Sequence, residues 1–324
     1  MRWAAAAVLV ATILLAPATA LADPAGPTDY ETTIVSIEPG VDGLSARMLG
    51  GDSFLELTVV GHDVLVTGYR GEPYLRFDPD GTVSENARSE TTYLNQDRYG
   101  ETEVPEDADP EADPEWVEVA TDGRYAWPDH RTHWMVEDPP PGAEPGDTVL
   151  EAVVPLEVDG EPVLISVRSE YVEPPGPWAS SVGGAIGLVA TATVIRLFGR
   201  AAGARASLLA LGSAALVMGI WERLSMPPEA AASPLVFLLP AATLLFGWMA
   251  KPSAPTQAYA GLLSGISLAI WVGARWEVLV RPILPTNAPW QLDRLVTAAA
   301  ATGTVVVIWN LVAGLIAERR TTTD

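Results

Sequence analysis

The feature that most constrains this chain is a change of solvent near residue 175. From Trp178 onward the sequence passes through five apolar segments: Trp178–Leu197, Ala206–Trp221, Pro234–Met249, Tyr259–Val280 and Leu295–Ala317. A helix needs about 20 apolar residues to cross the hydrocarbon core of a bilayer. Three segments reach that length and the second and third fall a few residues short, so their boundaries are soft. Residues 176–324 are therefore read as a five-helix transmembrane domain, with the lipid bilayer as its first partner.

The first half belongs to water. Of the 41 Asp and Glu residues, 35 lie at or before Glu173, while Asp23 to Glu173 holds eight arginines and no lysine. Such a field repels nucleic acid and anionic headgroups, which removes nucleic acid from the candidate partners. Residues 1–22, "MRWAAAAVLVATILLAPATALA", carry one arginine, a short apolar run and small residues at Ala18, Ala20 and Ala22. This pattern is expected of a secretory signal peptide, the alternative being an uncleaved N-terminal anchor. The chain has no cysteine, so it forms no disulfides and carries no lipidated cysteine.

Orientation follows from the cations. With the acidic domain exported, the first, third and fifth segments run inward and place Arg200, Arg205, Lys251, Arg319 and Arg320 in the cytoplasm, while Arg223, Arg281 and Arg294 stay outside. The expectation is a multi-pass cell-membrane protein with an extracytoplasmic N-terminal domain and a cytoplasmic C-terminus. Trp178, Trp221, Trp248, Trp276 and Trp290 fall near the interfaces, where amphipathic indoles settle.

Residues 23–175 are expected to form an all-β, sandwich-like domain. "SFLELTVV", "DVLVTGY", "YLRF", "TVLEAVVPLEV" and "PVLISVRSEYV" are short, rich in Val, Leu and aromatic residues, and separated by turn sequences such as "DPDG" and "VDGEP". Between them "YGETEVPEDADPEADPEWVEV" reads as a solvated loop, and "EYVEPPGP" as a stiff linker to the first helix. Tyr69, Tyr74 and Phe77 of "VTGYRGEPYLRF" are expected in the core, and Arg70, Arg76, Arg88 and Arg98 in internal ion pairs.

One stretch, "WPDHRTHWM" from Trp127 to Met135, concentrates two of the three histidines. Pro128 and the following "EDPPPG" exclude a helix, leaving a loop that leads into a strand of about six residues. Alternation would place Arg131, His133 and Met135 on one face, with Thr132, Trp134 and Val136 on the other. The first reading is structural: Trp134 and Met135 in the core, with His130 and Arg131 bonded to Asp129 and other acids. The alternative is a metal site in which His133 and Met135 are joined by His130 and by His62 from "GHDV". Imidazole with thioether is a copper-type ligand set, whereas zinc is more often closed by cysteine or carboxylate.

"GYRGEPYLRF", "DGTVSENARSETTYLNQDRY", "WPDHRTHWM" and the late "VPLEVDGEPV" together resemble an uncharacterised actinobacterial family of exported proteins with an N-terminal β domain and a C-terminal multi-spanning membrane domain. The resemblance covers most of the exported half, while the membrane half matches only in being hydrophobic. It implies this architecture and brings no activity with it. Where family members carry a histidine after the tryptophan, this chain has Pro128, which removes one ligand from the metal reading.

In the membrane half, "GIWERL" and "GARWEVL" place Trp, Glu and Arg at the outer ends of two helices. Glu222 is expected to pair with Arg275, and Glu277 with Arg223, as a polar cluster at the membrane interface. "GGAIG" and "GLLSG" are G-x-x-x-G patterns that permit close helix packing. There is no G-x-S-x-G, phosphate-binding G-x-x-x-x-G-K or H-E-x-x-H, and three histidines leave little scope for a triad. The leading expectation is a non-enzymatic envelope membrane protein whose β domain is a binding or accessory module, another envelope protein being its candidate partner. The alternatives are a copper-binding or copper-transport protein, with the Glu/Arg helix ends as the route inward, and a small transporter or channel subunit using Asn310.

Overall fold

In "EPVLISVRSEY" the residues Val163, Ile165 and Val167 are buried while Leu164 between them is 45% exposed, the period of a strand with one face on a core. The same alternation builds most of the N-terminal half of this computed structural model. It describes residues 25–321 except Asp97, Glu101, Glu137, 231–232 and 252–255; segment 1–22, where a signal peptide is expected, lies outside the described residues. The strands are β1 (Tyr30–Glu38), β2 (Leu44–Leu49), β3 (Phe54–Val59), β4 (Val64–Thr67), β5 (Pro73–Phe77), β6 (Val83–Asn86), β7 (Trp116–Ala120), β8 (Arg124–Trp127), β9 (Thr148–Val158) and β10 (Glu161–Tyr171). A short helix α1 (Glu90–Leu94) follows β6, capped by the Ser89 side chain.

All pairings are antiparallel, in a sheet of order β1-β10-β9-β4-β5-β6-β7 and a second of order β2-β3-β8. One core joins them: Leu55, Leu57 and Trp127 from the small sheet pack with Val66, Leu75, Leu156 and Ile165 from the large one. The β9–β10 hairpin turns on Asp159 (φ 52°) and Gly160 (φ 83°), the two left-handed residues that a tight Asp-Gly turn requires. Residues 102–115 of the expected acidic loop form turns without strands, but its last four residues, Trp116 to Val119, belong to β7, which pairs with β6. Tyr74 and Phe77 are core residues while Tyr69 is half-buried; Arg70, Arg76, Arg88 and Arg98 all pair with carboxylates, but only the Arg98–Asp52 pair is internal.

The C-terminal half is helical: α2 (Trp178–Phe198), α3 (Arg200–Ser225), α4 (Leu235–Met249), α5 (Gln257–Ala274) and α6 (Trp290–Thr321), with a 3₁₀ turn at Trp276–Leu279. Four of these, α2, α3, α5 and α6, are long and apolar enough to cross a membrane, while α4 is an apolar helix of 15 residues. Two boundaries depart furthest from the hydropathy reading. α3 starts at Arg200 instead of Ala206, because arginine is a good helix former whose stem lies along apolar surface. The fourth segment stops at Ala274, because Arg275 leaves the helix and turns its guanidinium into an ion-pair cluster.

Close approach of backbones organises the helices. A Cβ on Gly183 or Gly187 of "GGAIG" would run into the α6 backbone at Leu295 and Ala299, and one on Gly261 or Gly265 of "GLLSG" would lie 3.0 Å from Leu311 or Ile308 of the same helix. Both G-x-x-x-G patterns are therefore contact surfaces for α6. Outward faces stay apolar, with Leu197 72%, Val305 68% and Trp309 76% exposed, as lipid-facing helices require.

The β domain rests on the helix ends. Thr28 and Ile283 exchange two backbone hydrogen bonds, at 3.0 and 3.1 Å, and Arg281 pairs with Asp29. Gly51 (φ 79°) lies where a Cβ would meet Ile283. A second contact buries Ala230 of the α3–α4 loop with Phe54 and Ala126 of the small sheet, beside Met226.

Candidate functional site

The segment after β8 is a stapled turn, which corrects the expected strand. Pro128-Asp129 opens it, and Asp129, fully buried, accepts from the Trp127 indole at 2.9 Å, from the Arg131 backbone N–H at 3.0 Å, and from Arg131 Nε and Nη2 at 2.8 and 2.7 Å. An aspartate bonding its own backbone two residues on makes a turn compete successfully with a strand. Thr132 closes the turn onto the Asp129 carbonyl and passes its own carbonyl to Thr32 Oγ1 at 2.6 Å. Burial pushes the Asp129 carboxyl up, but the charge and hydrogen bonds of Arg131 outweigh it and leave the group below its ordinary range.

Because the segment turns, the two histidines are not opposed. The His130 and His133 rings meet edge to face with centroids 5.4 Å apart. His130 also stacks on Tyr69 at 5.6 Å, its backbone N–H donates to the Tyr69 hydroxyl at 2.8 Å, and Arg131 covers the same ring at 5.0 Å. His133 is 1% exposed, and its Nε2 lies 2.8 Å from the Arg98 carbonyl oxygen. A carbonyl only accepts, so Nε2 carries the proton and Nδ1 presents a lone pair. Nδ1 is buried and has no hydrogen-bond partner among the described residues. Burial, then the Arg98 charge, holds the His133 pKa down at about 3, so the ring is neutral in any ordinary buffer.

Met135 is half-buried, and its methyl group approaches the point where a Gly100 side chain would begin, as does His130 Cε1. His62 is elsewhere: in the β3–β4 connection its ring bonds Asp159 at 2.7 Å and the Asp42 carbonyl at 2.9 Å. Thus His130, His133 and Met135 come together and His62 does not. The structural reading holds in part: Arg131 bonds Asp129 as expected, but Trp134 and Met135 are only half-buried, while the polar residues Asp129, Thr132 and His133 lie inside. No group of three or more His, Asp or Glu positioned to hold a metal exists among the described residues.

His133 also lines a cavity of about 210 Å³ under the β domain, with Arg98, Tyr30, Asp29, Arg281 and Glu277 around it. Tyr30 is 3% exposed and its hydroxyl has no partner among the described residues; burial, then Asp29, raises its pKa to about 12. A neighbouring cavity, also about 210 Å³, lies between the helix ends and shares the segment Ala25–Pro27 and Glu277 with the first.

The interfacial polar cluster forms, with one expected pair and one not. Arg275 binds Glu222 of α3 and, at 2.8 Å to each oxygen, Asp293 of α6, while its guanidinium lies 5.1 Å from the centre of the Trp271 ring. Glu277 pairs with Arg281 at 3.9 Å, and Arg223 instead donates to the Pro227 carbonyl at 3.4 Å. Sequence reasoning missed Asp293 and Arg294, both 1% exposed. Arg294 donates to the carbonyls of Val278, Arg281 and Pro282 at 3.0, 2.6 and 3.1 Å, satisfying the end of the 3₁₀ turn. A charged Asp-Arg pair just inside an apolar helix was the available signal. Asn310, at the other end of the bundle, exchanges hydrogen bonds with Arg200 at 3.2 and 3.1 Å.

Comparison with protein-family models, with curated proteins and with solved structures returns no match for this chain.

Proposed function

We propose that this chain is a non-enzymatic membrane protein of the cell envelope, in which the acidic β domain is an extracytoplasmic binding or accessory module held at a fixed angle on the outer ends of its helices. The observation that carries this reading is the docking itself: a two-bond backbone bridge between Thr28 and Ile283, reinforced by Asp29 and Arg281 beside a partly open cavity, seats the domain instead of leaving it on a loose tether. A rigid seat is what a module needs to present one surface in register with a membrane partner. The exported orientation, all five helices crossing, and a common layout with the actinobacterial family belong to the same reading. The polar groups of the helices favour it over a conduction path, because Arg275, Glu222 and Asp293 are engaged with one another near the docked face and Asn310 with Arg200 near the other.

The test is sidedness. The chain has no cysteine, so Val60→Cys in the β domain and Lys251→Cys after α4 give single labelling sites, both exposed. In intact cells a membrane-impermeant maleimide should label position 60 and spare 251 until the membrane is opened. Labelling at 251 but not at 60 ends the proposal.

A further inference from the structure

We propose that His130, His133 and Met135 hold one copper(I) ion. The starting observation is the buried lone pair of His133 Nδ1, which has no partner among the described residues. Leaving a buried acceptor without a donor is costly, and native structures keep few such groups without a use. Metal-ligating histidines commonly donate their other ring N–H to a carbonyl or carboxylate, which fixes the tautomer and the ring plane. His133 has that arrangement already, through Nε2–H and the Arg98 carbonyl at 2.8 Å.

The second imidazole stands at the right distance. Two rings bound to one ion at about 2 Å each place their centroids roughly 5–6 Å apart; those of His130 and His133 are 5.4 Å apart and nearly perpendicular, at 81°. The third group is the thioether. An ideal Cβ on Gly100 would lie 3.6 Å from His130 Nδ1 and 3.9 Å from the Met135 methyl, so the imidazole and the end of the thioether side chain lie beside the same glycine.

The chemistry of this set selects the ion. Two neutral imidazoles and a thioether are soft, low in charge and few in number, which suits copper(I) and disfavours calcium or magnesium. Zinc would call for a thiolate or carboxylate to close the site. Among the described residues the two nearest cations are already paired, Arg98 with Asp52 and Arg131 with Asp129. His62, bonded to Asp159 and the Asp42 carbonyl, is not a ligand. The inference stands independently of the accessory reading, since the site requires only the turn after β8 and the Arg98–Gly100 segment packed on it.

The experiment is a copper(I) titration of the full chain in detergent, under ascorbate, against a competing copper(I) chelator, with X-ray absorption on the loaded protein. Wild type should retain one equivalent and show sulfur scattering at about 2.3 Å beside two imidazole shells. Met135→Leu conserves volume at a half-buried position, and His130→Gln keeps a polar side chain; each should weaken retention at least about tenfold, and Met135→Leu should remove the sulfur shell. His62→Gln should match wild type. No retention by folded wild type, retention unchanged in both variants, or a shell of nitrogen and oxygen alone overturns the site.

Discussion

Trp271 donates its indole N–H to the carbonyl oxygen of Val236 at 2.9 Å, the acceptor that Pro240 leaves open one helical turn later. Proline has no N–H, so Val236 lacks its i→i+4 partner within α4. The indole of α5 supplies the missing donor, and Gly219 of α3 brings a third backbone against the same carbonyl. Trp271→Phe should therefore cost about 1–3 kcal/mol in the native background. With Pro240→Ala, helix α4 regains its own donor and the same substitution should cost less. Thermal melts of the four proteins in one detergent form the double-mutant cycle, and equal costs in both backgrounds would refute the link.

Arg275 ties α3, α5 and α6 together by binding Glu222 and Asp293 at once. Removing a buried cation strands two carboxylates, so Arg275→Met should destabilise by about 3–5 kcal/mol. Adding Glu222→Gln and Asp293→Asn removes the stranded charges and should restore most of the melting temperature. A triple variant no more stable than Arg275→Met would show that the guanidinium acts by packing on Trp271 alone.

Much of this was legible in the sequence, and the failures share a cause. The Asp159-Gly160 turn, the helices and the Glu222–Arg275 pair follow from local spacing or from one charge facing another at neighbouring helix ends. Asp293 did not, because its contact with Arg275 depends on α6 crossing behind α5, which hydropathy does not encode. The histidine stretch reads as a loop leading into a strand because Pro128 and the prolines after Asp138 exclude a helix, whereas Asp129 is a turn signal whose strength becomes visible only with four hydrogen bonds on one buried carboxylate. His62 entered the ligand set only because the chain has so few histidines; its own loop binds it to Asp159.

Stability of the β domain should fall as pH rises through neutrality because of Glu85. Burial lifts its pKa from 4.5 to about 7, with hydrogen bonds from Tyr74 and Thr92 opposing only part of the shift. The folded state therefore holds a proton that the unfolded chain has already lost between these values. The stabilisation is complete below about pH 4.5 and is lost as pH climbs through 7. Relative to Glu85→Gln, wild type should lose about 1–3 kcal/mol between pH 5.5 and 8.5 in urea unfolding. A difference that stays flat across that window would mean the carboxylate is hydrated.

The seat of the β domain can be tested by a covalent bridge. Thr28 and Ile283 form a hydrogen-bonded antiparallel pair, in which Cα atoms lie about 5.5 Å apart, within the span of a disulfide. Because the native chain contributes no thiols, Thr28→Cys with Ile283→Cys reports on this contact alone. Under glutathione oxidation the pair should close quantitatively, read as loss of both titratable thiols. The bridge should raise the melting temperature of the full chain, since it closes a loop of more than 250 residues. Thiols that remain reactive after oxidation, in a protein whose helices are intact, would mean that the domain swings free of the helix ends and that the cavity is not a standing feature of the molecule.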